Sequence, residues 1–197
     1  MIDQTQVRNG IEPPPVVVPA PVERVCLDLG AGQSKREGFK GVDKYEAPGV
    51  DIVCDLLSFP WPFEDNSVDE VHSSHFLEHV DGVDRLPFFN ELYRVMKPGA
   101  TAQFITTAAD SNRSIQDPTH KFPPVVAEFY QCYLNKAWRD MNKLTHGAYE
   151  GDFNLGAQQV NVGLSPAMQA RNDEFRTYAM TFLRNATTDL YVWIVKC

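Results

Sequence analysis

The segment VCLDLGAG, residues 25–32, places a short apolar run directly before a glycine turn. A run of this length that ends at such a turn predicts a buried strand followed by a sharp change of direction. Similar apolar runs return at FKGVD (39–43), VDIVCD (50–55), VDEVHSS (68–74) and ATAQFITT (100–107). Strands of this kind, apolar on both faces, are typical of a parallel sheet that is covered on both sides.

Segments with apolar residues at helical spacing lie between some of these runs and after the last of them. LPFFNELYRVM (86–96) predicts a helix with Pro87 in its first turn, and Lys97-Pro98-Gly99 stops it. Further patterns predict helices over 125–143 and 166–185 and strands over 152–162 and 189–197. We therefore expect a Rossmann-like three-layer α/β sandwich, whose mostly parallel seven-stranded sheet has an antiparallel C-terminal strand.

Length and composition indicate one globular domain preceded by a tail. Five prolines between residues 13 and 21 predict an extended N-terminal arm over 1–22, which could bind a protein partner, before a domain over 23–197. Residues 108–165 are expected to cover the acceptor side of that domain. The four cysteines form no CxxC pair, and the chain has neither a signal pattern nor an apolar run near the ~20 residues of a membrane span. We expect a cytoplasmic protein, with a homodimer left open.

Acidic residues and glycines stand at the ends of the first three predicted strands. Gly30-Ala31-Gly32 lets the backbone approach a ligand closely, Asp43 can accept both hydroxyls of a ribose, and Asp55 can accept a proton from an exocyclic amine. With Asp28 beside the turn, this set suits a ligand with a neutral adenosine and a cationic amino-acid part. A dinucleotide is disfavoured, because the turn lacks the third glycine of that fingerprint and Asp43 follows Gly32 after eleven positions rather than roughly twenty.

Five segments in a fixed order carry a resemblance to a known family. They are VCLDLGAG, GFKGVD, DIVCDL, FPWPFEDNSVDEVHSSHFLEHV and ELYRVMKPGA, which span about residues 24–107. In order and spacing they resemble the class I S-adenosylmethionine-dependent methyltransferases of the methyltransferase-11 kind, especially a short subgroup in which the glycine turn leads almost directly into the second strand. The resemblance implies a methyltransferase whose cofactor is S-adenosyl-L-methionine.

By this resemblance, the methionine part of the cofactor binds at Asp28, Gly30 and Gly32, the ribose at Asp43, and the adenine at Asp55 and Leu56, with Ala31 between the two glycines also in the site. Lys44, Ser74 and His75 complete the predicted cofactor site. The stretch between Leu29 and Phe39 is too short for the full crossover helix of the larger enzymes. The methionine pocket is therefore expected to be more open, and a catalytically degenerate binding or assembly protein of the same fold stays an alternative.

Two histidines are candidates for the general base that an oxygen or nitrogen nucleophile needs. His75 follows the fourth strand and His120 lies in the DPTH run after the fifth, and both positions overhang the predicted site. Each also has a structural interpretation: His75 could cap the next helix, and His120 could bond Asp117 to hold a proline turn. His79 is expected to face inward.

HFLEH (75–79) spells the inverted zincin motif, in which His75 and His79 would bind zinc with Glu78 as base. Because the motif begins where a strand ends, this zinc hydrolase interpretation is the weaker one, and we predict no metal site. The net charge of −8 likewise disfavours nucleic-acid methylation. We therefore expect a methyltransferase that acts on an oxygen or nitrogen nucleophile of a small-molecule acceptor.

Overall fold

The computed structural model describes residues 23–144 and 149–197, with the backbone alone for 157–159. The N-terminal arm expected over 1–22 lies outside the described residues. Within them, seven strands form one sheet: β1 (Cys26–Leu29), β2 (Lys40–Asp43), β3 (Ile52–Val53), β4 (Val68–Ser74), β5 (Met96–Thr107), β6 (Phe153–Leu164) and β7 (Thr187–Lys196). All seven coincide with predicted strand segments, although β3 is much shorter than its apolar run.

The strand order is β3-β2-β1-β4-β5-β7-β6. β1 pairs in parallel with β2 and β4, and β4 with β5, whereas β7 runs antiparallel between β5 and β6. The predicted mostly parallel sheet with an antiparallel C-terminal strand is confirmed. Because the chain leaves β1 on one side to form β2 and returns on the other side to form β4, the carboxyl ends of β1 and β4 flank the crevice in which open sheets of this kind bind ligands.

Short helical segments connect the later strands. The described residues contain α1 (Gly82–Val95), α2 (Arg113–Gln116), α3 (Lys136–Met141), α4 (Pro166–Gln169) and α5 (Asp173–Phe182), with a 3₁₀ turn at Leu77–His79 and a π-helical segment at Phe129–Tyr133. Pro87 lies inside α1, which begins at Gly82, and not in its first turn as expected. None of these helices has both the length and the apolar character that a membrane span requires.

Two of the predicted helices are broken at asparagines. Asn135 separates the π-helical segment from α3, and Asn172 separates α4 from α5. Each side chain accepts the N–H of the residue three positions ahead, Trp138 at 2.8 Å and Phe175 at 2.9 Å, and so caps a new helix. The prediction of one continuous helix in each of these two regions was therefore wrong.

One face of the sheet is closed by an aromatic core. Phe88 and Phe89 of α1, Phe104 of β5, Tyr130 of the π-helical segment and Phe153 of β6 are each at most 1 % exposed. The ring centroid of Phe89 lies 5.2 Å from that of Phe104 and 6.3 Å from that of Phe153. Inclined ring contacts of this kind add to the free energy gained by burial. They hold α1 against the sheet.

The opposite face of the sheet carries a row of polar and aromatic residues. Asp28, His72, Gln103 and Trp193 are register partners on β1, β4, β5 and β7, so they lie side by side across four strands. The last three are half-buried. The segment 30–39 between β1 and β2 contains no helix, as its length predicted, so no helix from this segment covers the row.

We expect Phe89→Ala to lower the free energy of unfolding by about 3–5 kcal/mol, because it removes a fully buried ring and leaves a cavity among its aromatic neighbours. Val83→Ala in the same helix is the matched control: Val83 is 81 % exposed, so its truncation should change the free energy by less than about 0.5 kcal/mol. Urea unfolding followed by circular dichroism measures both. Equal effects of the two substitutions would contradict this placement of the core.

Candidate active site

The glycine turn after β1 is held by backbone hydrogen bonds to β2. Gly30 has a φ of +76° and its N–H donates to the carbonyl oxygen of Val42 at 2.8 Å. A Cβ at Gly30 would lie 2.6 Å from the Cβ of Phe76, so only glycine fits this contact. Gly32 has a φ of +52° and its N–H donates to Asp43 Oδ2 at 3.0 Å, yet nothing lies within 4 Å of the position of a Cβ there. The turn is therefore packed tightly at Gly30 and open beside Gly32.

The carboxylate of Asp28 is buried and shapes the loop after β1. Its Oδ1 accepts from His72 Nδ1 at 2.8 Å, and its Oδ2 accepts from the N–H of Arg36 at 2.7 Å. Asp28 is only 4 % exposed. Both oxygens therefore have partners within the chain, and Asp28 acts on the site through the loop that it positions.

A cavity of about 720 Å³ lies over the open sheet face beside the glycine turn. It is lined by Asp28, Gly30, Ala31, Ser34, Lys35, Arg36, His72, Ser74, Gln103 and Ile105, and so it brings together four of the predicted cofactor residues. The guanidinium of Arg36 donates to Gln103 Oε1 at 2.6 Å and lies 5.0 Å from the ring of Phe39. Sequence analysis missed Arg36, His72 and Gln103. The available signal for Gln103 was a polar residue inside the apolar run ATAQFITT.

The other predicted cofactor residues at the ends of β2 and β3 lie outside the lining of this cavity. Lys44 Nζ pairs with Asp55 Oδ2 at 3.1 Å, and Asp55 Oδ1 accepts the N–H of Leu57 at 3.0 Å. The N–H of Leu57 and the ammonium of Lys44 hold the pKa of Asp55 below its usual value, so this carboxylate is an ionised acceptor at neutral pH. Leu56 is buried in the core. The carboxylate of Asp43 accepts the N–H of Gly32 and so connects the end of β2 to the glycine turn.

His75 stands directly after β4 in a strained conformation. Its φ is +54°, a region that residues other than glycine rarely occupy, and its N–H donates to the carbonyl oxygen of Ile105 at 2.8 Å. Its Nδ1 lies 2.9 Å from Glu78 Oε1. Glu78 is 4 % exposed, and the same oxygen accepts the N–H of Thr107 at 3.2 Å. A buried carboxylate thus holds His75 next to Ser74 and Ile105, which line the cavity.

His75 and Glu78 each shift the protonation of the other. The hydrogen bond to Glu78 raises the pKa of His75, although partial burial opposes it, and the charges of Glu78 and Asp189 add to the rise. Burial raises the pKa of Glu78, but hydrogen bonds from His75 and from backbone N–H groups lower it by more. Glu78 therefore stays ionised, and in neutral His75 the lone pair lies on Nε2.

The HFLEH segment does not form the helical arrangement of the zincin motif. Only Leu77–His79 is helical, as a single 3₁₀ turn, and the carboxylate of Glu78 bonds to His75. His79 is exposed, and its Nδ1 lies 3.0 Å from Thr119 Oγ1. The expectation that His79 faces inward was wrong, because a single 3₁₀ turn, and not a longer helix, sets its direction.

His120 lies in the loop after β5 and belongs to a different group from His75. Its Nδ1 donates to the carbonyl oxygen of Ser114 at 3.2 Å, and its ring centroid lies 4.8 Å from that of His79. Asp117 Oδ1 accepts from the N–H of Thr119 at 2.8 Å and from Thr119 Oγ1 at 2.7 Å. The Asp117 carboxylate therefore holds the proline turn through Thr119.

We expect Glu78→Gln to lower the pKa of His75 toward or below the value of about 6.5 of an ordinary histidine, because it removes the charged partner and leaves the partial burial. Asp189→Asn should lower this pKa by less, since Asp189 Oδ1 lies 4.0 Å from His75 Nε2. Nuclear magnetic resonance titration of the His75 ring measures both shifts. An unchanged pKa in Glu78→Gln would show that the pair does not control this histidine.

A family model matches part of this chain, and solved structures share its fold. Residues 23–104 match the family model of a methyltransferase domain. No curated protein matches the sequence significantly. An S-adenosylmethionine-dependent methyltransferase from Archaeoglobus fulgidus is 17 % identical, with 88 % of this chain and 86 % of that chain covered and a TM-score of 0.55.

The second structure is phosphoethanolamine N-methyltransferase 2 of Haemonchus contortus, solved with phosphomonomethylethanolamine and S-adenosylhomocysteine. It is 14 % identical, with 90 % of this chain covered and a TM-score of 0.53, and this chain spans 50 % of its length. The shared fold places the glycine turn and the ends of β1 and β4 at the ligand edge of the sheet. Residues 23–104 therefore resemble a methyltransferase domain, and the chain shares the fold of S-adenosylmethionine-dependent methyltransferases of known structure.

Proposed function

We propose that this chain is an S-adenosylmethionine-dependent methyltransferase that methylates an oxygen or nitrogen nucleophile of a small-molecule acceptor, with His75 as the general base. The observation that carries the proposal is the His75–Glu78 pair at the carboxyl end of β4, beside the cavity at the glycine turn. When bound, S-adenosylmethionine supplies an electrophilic methyl group on its sulfonium sulfur. A nucleophile that carries a proton needs a base within reach of that methyl group.

The carboxylate of Glu78 supports this role by orienting the imidazole of His75. In the neutral ring the proton lies on Nδ1 and is donated to Glu78 Oε1, so Nε2, which lies 4.0 Å from Asp189 Oδ1, carries the lone pair that would take a proton from the acceptor. The buried negative charge also stabilises the imidazolium that then forms. His75 is thus the proposed catalytic residue, and Glu78 is a positioning residue that acts through it.

The cofactor would bind from the glycine turn to the ends of β2 and β3. The open space beside Gly32 and the cavity next to Gly30 fit a ligand at the turn. Each carboxylate oxygen of Asp43 accepts one backbone N–H, from Gly32 and Tyr45, and retains a lone pair for a ribose hydroxyl. The ionised Asp55 supports its assignment to the adenine amine. Asp28 is only 4 % exposed, whereas Asp43 is half-buried, so Asp28 is better assigned to holding the loop than to contacting the cofactor.

The acceptor would bind at the carboxyl edge of the sheet, where the start of α1 and the segments after β5 follow the ends of β4 and β5. A cavity of about 610 Å³ at the start of α1 is lined mostly by apolar and aromatic side chains, among them Phe122, Phe129 and Tyr133. A concave site of this size and lining supports a small acceptor with an apolar or aromatic part. The net charge of −8 supports the same choice over a polynucleotide.

The helix-free segment 30–39 favours one second candidate, a methyltransferase fold that has lost catalysis and serves as a binding or assembly protein. Such a protein would fold normally but would not bind the cofactor. Binding of S-adenosylhomocysteine distinguishes the two candidates.

We expect the full chain to bind S-adenosylhomocysteine, and Asp43→Asn to weaken this binding by about 10- to 100-fold, because it removes a charged acceptor for the ribose. Asparagine retains a carbonyl oxygen for the N–H of Gly32, so the turn is preserved. Asp140→Asn, in an exposed pair with Lys136, is the matched control. Isothermal titration calorimetry measures all three proteins. Absence of binding by the wild type at millimolar ligand would support the second candidate.

We expect S-adenosylhomocysteine to form when the protein is supplied with S-adenosylmethionine and pools of small hydroxyl- and amine-bearing acceptors. His75→Asn should lower this rate by about 10²- to 10⁴-fold, which is the usual contribution of a general base. Asparagine tolerates the positive φ at this position, so the fold is expected to be retained. Full activity of His75→Asn, or preferential transfer to RNA or DNA, would contradict the proposal.

A further inference from the structure

We propose that His79, Asp117 and His120 form a binding site for one divalent transition-metal ion. One ligand atom from each of the three residues lies within 4.8 Å of the other two. His79 ends the 3₁₀ turn after β4, whereas Asp117 and His120 lie in the loop after β5. The site thus joins the segments that follow two neighbouring parallel strands. It does not depend on the proposed methyl transfer.

Hydrogen bonds orient both imidazoles with Nε2 available for a metal. Thr119 Oγ1 donates its single proton to Asp117 Oδ1 at 2.7 Å, so it accepts from His79 Nδ1, which is 3.0 Å away. His120 Nδ1 donates to the carbonyl oxygen of Ser114 at 3.2 Å. In the neutral state each ring therefore carries its proton on Nδ1 and its lone pair on Nε2. Histidines that bind metals have this arrangement, with the second ring nitrogen donating to a fixed acceptor.

The spacing of the ligand atoms is close to the spacing that an ion requires. Three atoms within 4.8 Å of one another lie within about 2.8 Å of a common point, compared with about 2.0–2.2 Å for bonds from zinc to nitrogen or carboxylate oxygen. Small side-chain movements would close this difference. The backbone is already held in place, since the N–H of Lys121 donates to the carbonyl oxygen of Glu78 at 2.8 Å and fixes the loop beside His79.

Two imidazoles and one carboxylate select the class of ion. This donor set suits zinc, iron, cobalt or nickel, whereas magnesium and calcium prefer sites built from oxygen alone. His79 is exposed, so a bound ion would have at least one position open to water or to an acceptor group. The cavity at the start of α1 approaches this loop, because Asp81 in its lining pairs with Lys121, the neighbour of His120, at 3.4 Å.

This site differs from the one that the HFLEH motif suggests. In the motif, His75 and His79 bind the same ion. Here the Nδ1 of His75 bonds to Glu78 and its Nε2 lies 4.0 Å from Asp189. His79 therefore takes its co-ligands from the loop after β5, and His75 is predicted to take no part.

Zinc binding by the full chain tests the proposal. The protein is treated with a chelator, dialysed and titrated with Zn²⁺ alone in competition with a chromophoric chelator. We expect one tight site, and a loss of affinity of at least about 100-fold in His79→Gln, Asp117→Asn and His120→Gln. Thr119→Val removes the hydrogen bonds that orient His79 and Asp117, and should weaken binding by about 10- to 100-fold.

His75→Asn is the matched control, because it removes the other histidine of HFLEH and should leave zinc affinity unchanged. Circular dichroism and thermal unfolding without metal identify any variant that does not fold, and Asp117→Asn, which changes the fewest atoms, then decides the test. The proposal is overturned if the wild type has no site, if Asp117→Asn binds as tightly as the wild type, or if His75→Asn loses the site as well. Titration of the same proteins with S-adenosylhomocysteine separates a failure of this proposal from a failure of the proposed function.

Discussion

The buried carboxylate of Asp28 is the interaction on which the ligand-binding side of this sheet depends. A carboxyl group in a residue that is 4 % exposed is tolerated only when hydrogen bonds replace the water it has lost. Asp28 has two such bonds, to His72 on β4 and to the N–H of Arg36 in the loop. They hold β1, β4 and the loop together where the chain has no room for a crossover helix. Arg36 and the glycine turn consequently take their places around the cavity.

The 3₁₀ turn Leu77–His79 contacts both the proposed base and the loop that holds the proposed metal site. The side chain of Glu78 bonds His75, the carbonyl oxygen of Glu78 accepts from Lys121, and His79 bonds Thr119. A displacement of this turn would therefore disturb the proposed base and the proposed metal site together. The φ of +54° at His75 is the kind of local strain that functional sites retain when the surrounding contacts hold it in place.

The strands of this protein were more predictable than its helices. Each strand lies in a short apolar run, and VDEVHSS (68–74) coincides with β4 residue for residue. Asn135 and Asn172 both fall within regions of helical spacing. In the folded chain the side chain of each caps the start of a new helix, which divides each region into two helical segments. The proposed metal site combines His79 with His120, and some forty residues separate their segments, so no local motif indicates it.

The sequence by itself determined the sheet and the residues at its ligand edge, because strand patterns and glycine turns are local properties of the chain. The turn at Gly30 and the carboxylate of Asp43 lie at the strand ends where their spacing predicted them. Only the tertiary structure decided which side chains meet. Asp28 bonds a residue 44 positions away and His79 bonds one 40 positions away. Such contacts depend on strand order and on how the loops pack over the sheet, and no local pattern of residues carries that information.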